Sequence, residues 1–306
     1  MIHRSHSAPV LMMVHAHPDD ESSLTGGTLA RYSAAGVRTI LVTCTDGGQG
    51  DDGPGLTAGS PGHDPRRVAA RRSAELNRAA TILGVHEVIR LGYSDSGTSE
   101  HPSAGHVPCT FSQRPIRPMV ERLVRLMRLH QPDVVVTYPP NGLSGHPDHI
   151  RTHDIVAAAY RNIIANQEPV SGQSMRPPRW IPTLYHIALS RTRMRVLQGL
   201  TDDVRDMSTW VPPERMGVED ADVTTVIDIG AFIPQKLKAL AAHASQGDAG
   251  GLLRLLTAAS RTVRQSEEYV QAYPAPPPDA QLPRDDLFEA IGDTSQLDQP
   301  HPTPPT

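Results

Sequence analysis

The chain reads as an α/β protein whose mostly parallel sheet is covered by helices on both faces, and three observations predict this. Short apolar runs alternate with helix-like segments. The runs are apolar almost throughout, as strands buried on both faces must be. Each of the first four ends in a polar cluster, and in parallel sheets ligands bind beyond the carboxyl ends of the strands.

The elements follow in order. Residues 9–16 (PVLMMVHA) read as a buried strand, and 21–36 as a helix on the spacing of Leu24, Leu29 and Tyr32, ended by Gly36. Residues 38–45 (RTILVTCT) form a second strand. Residues 64–84 form a helix with Asp64 as N-cap and Pro65 in its first turn. A third strand covers 86–92, and a basic amphipathic helix covers 114–131, with Val120, Leu123, Val124, Met127 and Leu129 on its apolar side. Residues 132–138 (PDVVVTY) make the fourth strand. Beyond His153 the pattern weakens: strands at 183–189 and 222–229 flank a long irregular stretch, and helices are expected at 234–246 and 252–272.

The division expected is one domain over residues 1–272, with a core at 9–160 and a C-terminal elaboration at 161–272. Nine of the 29 prolines fall in the last 34 residues, so 273–306 reads as a largely disordered tail with one docked segment at 285–292. At 306 residues the chain can bury a sizeable core. Its 29 basic and 33 acidic residues nearly balance, which argues against nucleic acid or an anionic membrane as partner. Only Cys44 and Cys109 are present, so no disulfide framework is expected. Neither a signal peptide nor a run of about 20 apolar residues is visible, and a cytoplasmic protein is expected.

The polar strand ends carry the chemistry. HPDD (17–20) places His17 and Asp20 at i and i+3, within reach of one metal if the chain turns into a helix there. A third ligand must come from elsewhere. GHPDHIRTH (145–153) repeats the H-P-D spelling at another strand end and offers His146, Asp148, His149 and His153. His15 faces away from His17 by strand alternation and is expected to pack. DGGQGDDG (46–53) lacks the Lys-Ser/Thr of a phosphate loop, and no G-x-G-x-x-G follows the first strand. Nucleoside triphosphates and dinucleotides are thereby rejected.

Together VHAHPDDES, GHPDHIRTH and the strand–helix pattern between them resemble the LmbE/PIG-L family of zinc-dependent de-N-acetylases. The likeness is strongest to the actinobacterial branch acting on mycothiol precursors and conjugates, and it covers roughly residues 9–160 with a looser match at KLKALAAHASQ. The resemblance implies a Rossmann-like, LmbE-like fold and a metal set of His17, Asp20 and His149. Asp19 would be the general base, and a protonated His146 would stabilise the tetrahedral intermediate with Asp148 orienting it. Arg72, Asp95 and Asp51 match positions near the substrate, Glu21 supports the cluster, and the metal implied is Zn2+, with Fe2+ suiting the same ligands.

Two departures bear on substrate. Ser144 stands where the mycothiol enzymes carry a tyrosine, and Leu24 where they place a polar side chain. Both speak against a mycothiol-pathway role. The function expected is removal of the N-acetyl group from an N-acetylglucosamine-type sugar, a small-molecule partner. Its rivals are a mycothiol S-conjugate amidase-like hydrolase of a larger amide, and a non-catalytic, metal-dependent sugar-binding protein. The oligomeric state is left open between monomer and homo-oligomer.

Overall fold

The computed structural model describes residues 8–53, 56–97, 109–166, 180–200 and 213–291. One sheet contains β1 (Val10–His15), β2 (Arg38–Thr45), β3 (Glu87–Tyr93), β4 (Val134–Thr137), β5 (Thr183–Ala188), β6 (Thr225–Asp228) and β7 (Ser266–Tyr273). Its order is β3-β2-β1-β4-β5-β7-β6. The first five of these run parallel, and β7 lies antiparallel between β5 and β6. This is the expected α/β architecture, with the last strands extending the same sheet.

Burial explains the composition of the central strands. Every residue of β1 and of β4 is buried. Leu11 and Met13 of β1 face one core with α2 (Gly26–Ala34), α3 (Pro65–Leu83) and α9 (Ile233–Ala241). Met12 and Val14 face the other, with α4 (Ile116–His130) and α6 (Pro147–Ala165). Helix α3 has the ends its sequence predicts: the Asp64 carboxylate accepts from the Arg66 N–H, Pro65 opens it, and Gly84 closes it at φ 72°.

Several expectations are corrected. The helix at 21–36 is two, α1 (Asp20–Leu24) and α2, broken at Thr25. The Glu267 carboxylate receives the Gly27 and Thr28 N–H groups that open α2, and a Cβ on Gly27 would come within 2.5 Å of Ile229. The helix expected at 252–272 ends early: α10 (Gly247–Thr262) is followed by β7. Ser-Glu-Glu-Tyr-Val-Gln tolerates a helix, but strands waiting on both sides offer β7 two ladders, and tertiary pairing overrides propensity.

On α4, Leu129 is 73% exposed and Met119 takes the buried place instead. The irregular stretch before β6 contains α7 (Arg191–Gln198) and α8 (Pro213–Met216). The chain after β7 packs down well before residue 285: Arg284 exchanges backbone hydrogen bonds with Thr224 and Val226, and Leu287 and Ala290 are buried in the first core. Residues 292–306 lie outside the described residues, as do 167–179. Among the described residues, no helix is long and apolar enough to cross a membrane.

Candidate active site

Four parallel strand ends converge as the sequence requires. Past β1, the His17 N–H donates to Asp20 Oδ2 at 2.7 Å, so the first residue of α1 curls back over the strand end. Asp19 between them sits at φ 114°, ψ −28°, a left-handed conformation that Asp tolerates better than most residues. Past β4, α5 (Gly142–Gly145) turns tightly, with Gly142 at φ 64° and Leu143 at φ 62°, ψ −76°. A Cβ on Gly142 would meet the His149 Cβ at 2.9 Å, so only glycine fits beneath that histidine.

These turns bring His17, Asp20 and His149 together. His17 Nδ1 lies 3.4 Å from Asp20 Oδ2, and His149 Nε2 lies 3.5 Å from Asp20 Oδ1. The outer nitrogen of each ring is held: His17 Nε2 meets Asp148 Oδ2 at 3.2 Å, and His149 Nδ1 meets the Gly142 carbonyl at 3.1 Å. With a metal bound, donation of those N–H groups would leave His17 Nδ1 and His149 Nε2 free to offer it their lone pairs. Burial lowers the proton affinity of His17, but Asp95, Asp148 and Asp20 outweigh it and raise it well above its ordinary value. Burial holds His149 below its ordinary value.

This set fits a divalent metal. Around a four-coordinate zinc with bonds of about 2.1 Å, neighbouring donors stand about 3.4 Å apart, and His17 and His149 each stand at about that distance from Asp20, on its two different oxygens. Each ring has the outer hydrogen-bond acceptor that orients metal-binding histidines. His146 belongs to the same cluster, its ring 4.6 Å from that of His17 and 4.9 Å from that of His149.

His146 and Asp148 are arranged differently from expectation. The Asp148 carboxylate turns away from His146, accepting from the Ser96 N–H at 2.9 Å and meeting His17 Nε2. What Asp148 offers His146 is its backbone N–H, which donates to Nδ1 at 3.1 Å and leaves the ring proton on Nε2. Burial, with His17 and His149 close by, pushes His146 down to about 2. Both effects favour the neutral ring, a hydrogen-bond donor through Nε2.

The Asp19 carboxylate accepts from Arg72 Nη2 at 2.9 Å. Arg72 is 5% exposed and also donates to the Gly47 and Pro18 carbonyls, so it stands behind Asp19. Asp95, expected near the substrate, faces His17 Nε2 at 3.7 Å while accepting from the Gly97 and Gln49 N–H groups. Asp51 is half-buried on the loop after β2, with Oδ2 on the Gly247 N–H. His15 packs behind the strand, its Nε2 2.9 Å from Thr25 Oγ1.

Sequence reasoning missed Tyr138, whose hydroxyl donates to Asp20 Oδ2 at 2.7 Å and whose ring stacks on His149 at 4.2 Å. The signal was its place at the end of the fourth strand. His243 was also missed: buried beyond α9, it meets Glu21 Oε1 at 2.8 Å. The looser likeness at KLKALAAHASQ was the only pointer to it.

Comparison with known proteins shows the family and the fold. Residues 12–160 match the family described as PIG-L, GlcNAc-PI de-N-acetylase. A 1D-myo-inositol 2-acetamido-2-deoxy-alpha-D-glucopyranoside deacetylase of Rhodococcus erythropolis is 36% identical over 245 residues, 78% of this chain and 82% of the relative. Among solved structures, the N,N'-diacetylchitobiose deacetylase of Pyrococcus horikoshii superposes with a TM-score of 0.53 at 23% identity, over 86% of this chain and 83% of that one. The 4-carboxy-2-hydroxymuconate hydratase GalB of Pseudomonas putida superposes at 0.59 with 18% identity, over 89% of this chain and all of that one. A hydratase and a deacetylase sharing the fold show that side chains, not topology, choose the chemistry. By the identity and extent of its likeness, this chain belongs to the PIG-L family of de-N-acetylases, which are hydrolases of an acetamide bond.

Proposed function

We propose that the chain is a zinc-dependent hydrolase releasing acetate from an N-acetylglucosamine glycoside with a small polyol aglycone. One juxtaposition carries this reading. The Asp19 carboxylate, steadied by Arg72, adjoins in sequence the carboxylate of a two-histidine, one-carboxylate set spaced for a metal. The polyol is favoured because the deacetylase relatives are named for an inositol glucosaminide. Ser144 and Leu24 remain the departures that a substrate panel must address.

A divalent metal held by His17, Asp20 and His149 would supply Lewis acidity and a water that loses its proton near neutral pH. Asp19 accepts the proton of the attacking water and delivers it to the departing amine. His146 donates its Nε2–H to the acetamide oxygen as that atom gains negative charge, an interaction whose loss typically costs ~2.7–4 kcal/mol. Asp148 and the Gly142 carbonyl hold the two ligand rings in register. Asp95 and Asp51 offer acceptors for sugar hydroxyls. The C–N bond breaks, and acetate and the free amino sugar leave.

The test is acetate release from N-acetylglucosaminyl-inositol, methyl N-acetylglucosaminide and diacetylchitobiose by zinc-loaded, iron-loaded and chelated protein. Zinc-dependent acetate release, greatest on the inositol glycoside, is expected. A protein with stoichiometric metal that releases no acetate, but cleaves a larger acyl amide, would overturn the reading in favour of the amidase.

A further inference from the structure

We infer that His243, brought from the far end of the chain, is a positioning residue that acts through Glu21 to hold the Asp19 carboxylate in its working orientation. The inference rests on the assignment of Asp19 as the base. Its starting point is the backbone of Asp19, whose φ of 114° is one that L residues rarely adopt. Such a conformation persists only where neighbours over-determine it.

Asp19 is held on three sides. Its carbonyl accepts from the Ser22 and Ser23 N–H groups, both at 3.0 Å. Its carboxylate lies on Arg72, which also grips the preceding Pro18 carbonyl. Its own N–H donates to Glu21 Oε2 at 2.9 Å. That third hold is only as firm as the Glu21 carboxylate, which is fully buried.

A buried carboxylate is costly unless its oxygens are satisfied. Glu21 Oε1 accepts from the Ser22 hydroxyl at 2.6 Å and meets His243 Nε2 at 2.8 Å, across 222 residues of sequence. The fully buried His243 side chain blocks rotation of the carboxylate out of this geometry. Each of the two acids has a base beside it, Arg72 on Asp19 and His243 on Glu21, and Glu21 raises the proton affinity of His243 despite its burial.

His243 is itself anchored independently of Glu21. Two residues on, Ser245 donates its N–H and its hydroxyl to the two oxygens of Glu75, which lies on α3 one turn beyond Arg72. Gln246 accepts the Asp51 N–H and donates to the Asp51 carbonyl. The short segment 243–247 thereby grips α1, α3 and the loop after β2, the three walls around Asp19.

The experiment compares His243→Leu, His243→Asn and His243→Gln in the full chain, with zinc saturating. Gln keeps an N–H donor of comparable reach, Asn is polar but too short, and Leu has no donor. Expected for Leu and Asn is a fall in kcat of roughly 10–100-fold, as for a catalytic group displaced by about 1 Å. KM should stay within about twofold and zinc content at the wild-type value, with Gln recovering most of the turnover. Wild-type turnover in Leu or Asn, equal losses in all three variants, or loss of zinc would overturn the inference. Crystal structures of wild type and the Asn variant decide the matter without turnover. If the wild type releases no acetate, the functional reading fails separately, and an unchanged Asp19 backbone in the variant overturns the positioning role.

Discussion

The chain spells H-P-D twice, at residues 17–19 and 146–148, and the two copies do different things with the same letters. In the first, Asp19 lies at φ 114° outside the helix, its carboxylate partly exposed and turned to Arg72, while Asp20 opens α1 and faces the ligand cluster. In the second, His146 is extended at φ −60°, ψ 130°, Pro147 opens α6, and Asp148 falls inside the first turn with no exposure. Its carboxylate reaches back to His17. The residue after each copy, a fourth letter that is Asp20 in one and His149 in the other, is the one proposed above as a metal ligand. The backbone at the third letter sets where its carboxylate turns, to Arg72 in the first copy and to His17 in the second.

The surroundings differ as well. Around the first copy carboxylates raise the proton affinity of His17 and His243. Around the second, histidines face one another: burial pushes His146, His149 and His153 down, and takes His186 to about 3. The first copy is therefore surrounded by carboxylates, and the second by histidines whose burial favours their neutral form.

Loss of either fourth letter should have the largest effect. Asp20→Ala and His149→Ala are each expected to abolish stoichiometric zinc binding, read by metal analysis after dialysis, and with it acetate release. Retained zinc in either variant would remove that residue from the ligand set.

Next in size is the third letter of the first copy. Asp19→Asn should keep zinc and lose ~10²–10⁴ in kcat, the usual contribution of general acid–base catalysis. Arg72→Met, which frees Asp19 without removing it, should lose roughly tenfold through misplacement alone. An Arg72 variant as dead as Asp19→Asn would mean that the arginine does more than hold its neighbour.

The smallest expected effect concerns stability. Burial and the His153 ring 5.0 Å away push half-buried His186 down to about 3 in the folded protein, against about 6.5 for an unperturbed histidine in the unfolded chain. Between those values the unfolded state binds more protons, so stability is full above about pH 6.5 and declines as pH falls. His186→Phe should flatten the acid side of a Tm-against-pH curve. An unchanged slope would show that this pair does not carry the titration.

Much of this was legible in the sequence because local chemistry and tertiary need agree in the first half of the chain. β2 carries the apolar run Ile40–Val42 and is buried from Thr39 to Thr45; Asp64, Pro65 and Gly84 mark the ends of α3. The residues proposed as the metal set were within reach because each follows a strand end. The rest depended on contacts distant in sequence. Nothing local in SEEYVQAY chooses strand over helix; β5 and β6 choose it. The orientation of Asp148 follows from Ser96 and His17, and His243 matters only because α9 delivers it to Glu21. Spacing within a motif names the participants, whereas their division of labour comes from the backbone and from partners elsewhere.

The contrast between the two third letters is tested most directly by acetate release from Asp19→Asn and Asp148→Asn across a zinc titration. Asp148→Asn weakens the hold on a ligand ring, so it should need about 10–100-fold more zinc and then recover most of the wild-type turnover. Asp19→Asn should load at the wild-type zinc concentration and stay inactive at every concentration. Rescue of both variants by zinc, or of neither, would contradict the assignment of one aspartate to proton transfer and the other to the metal.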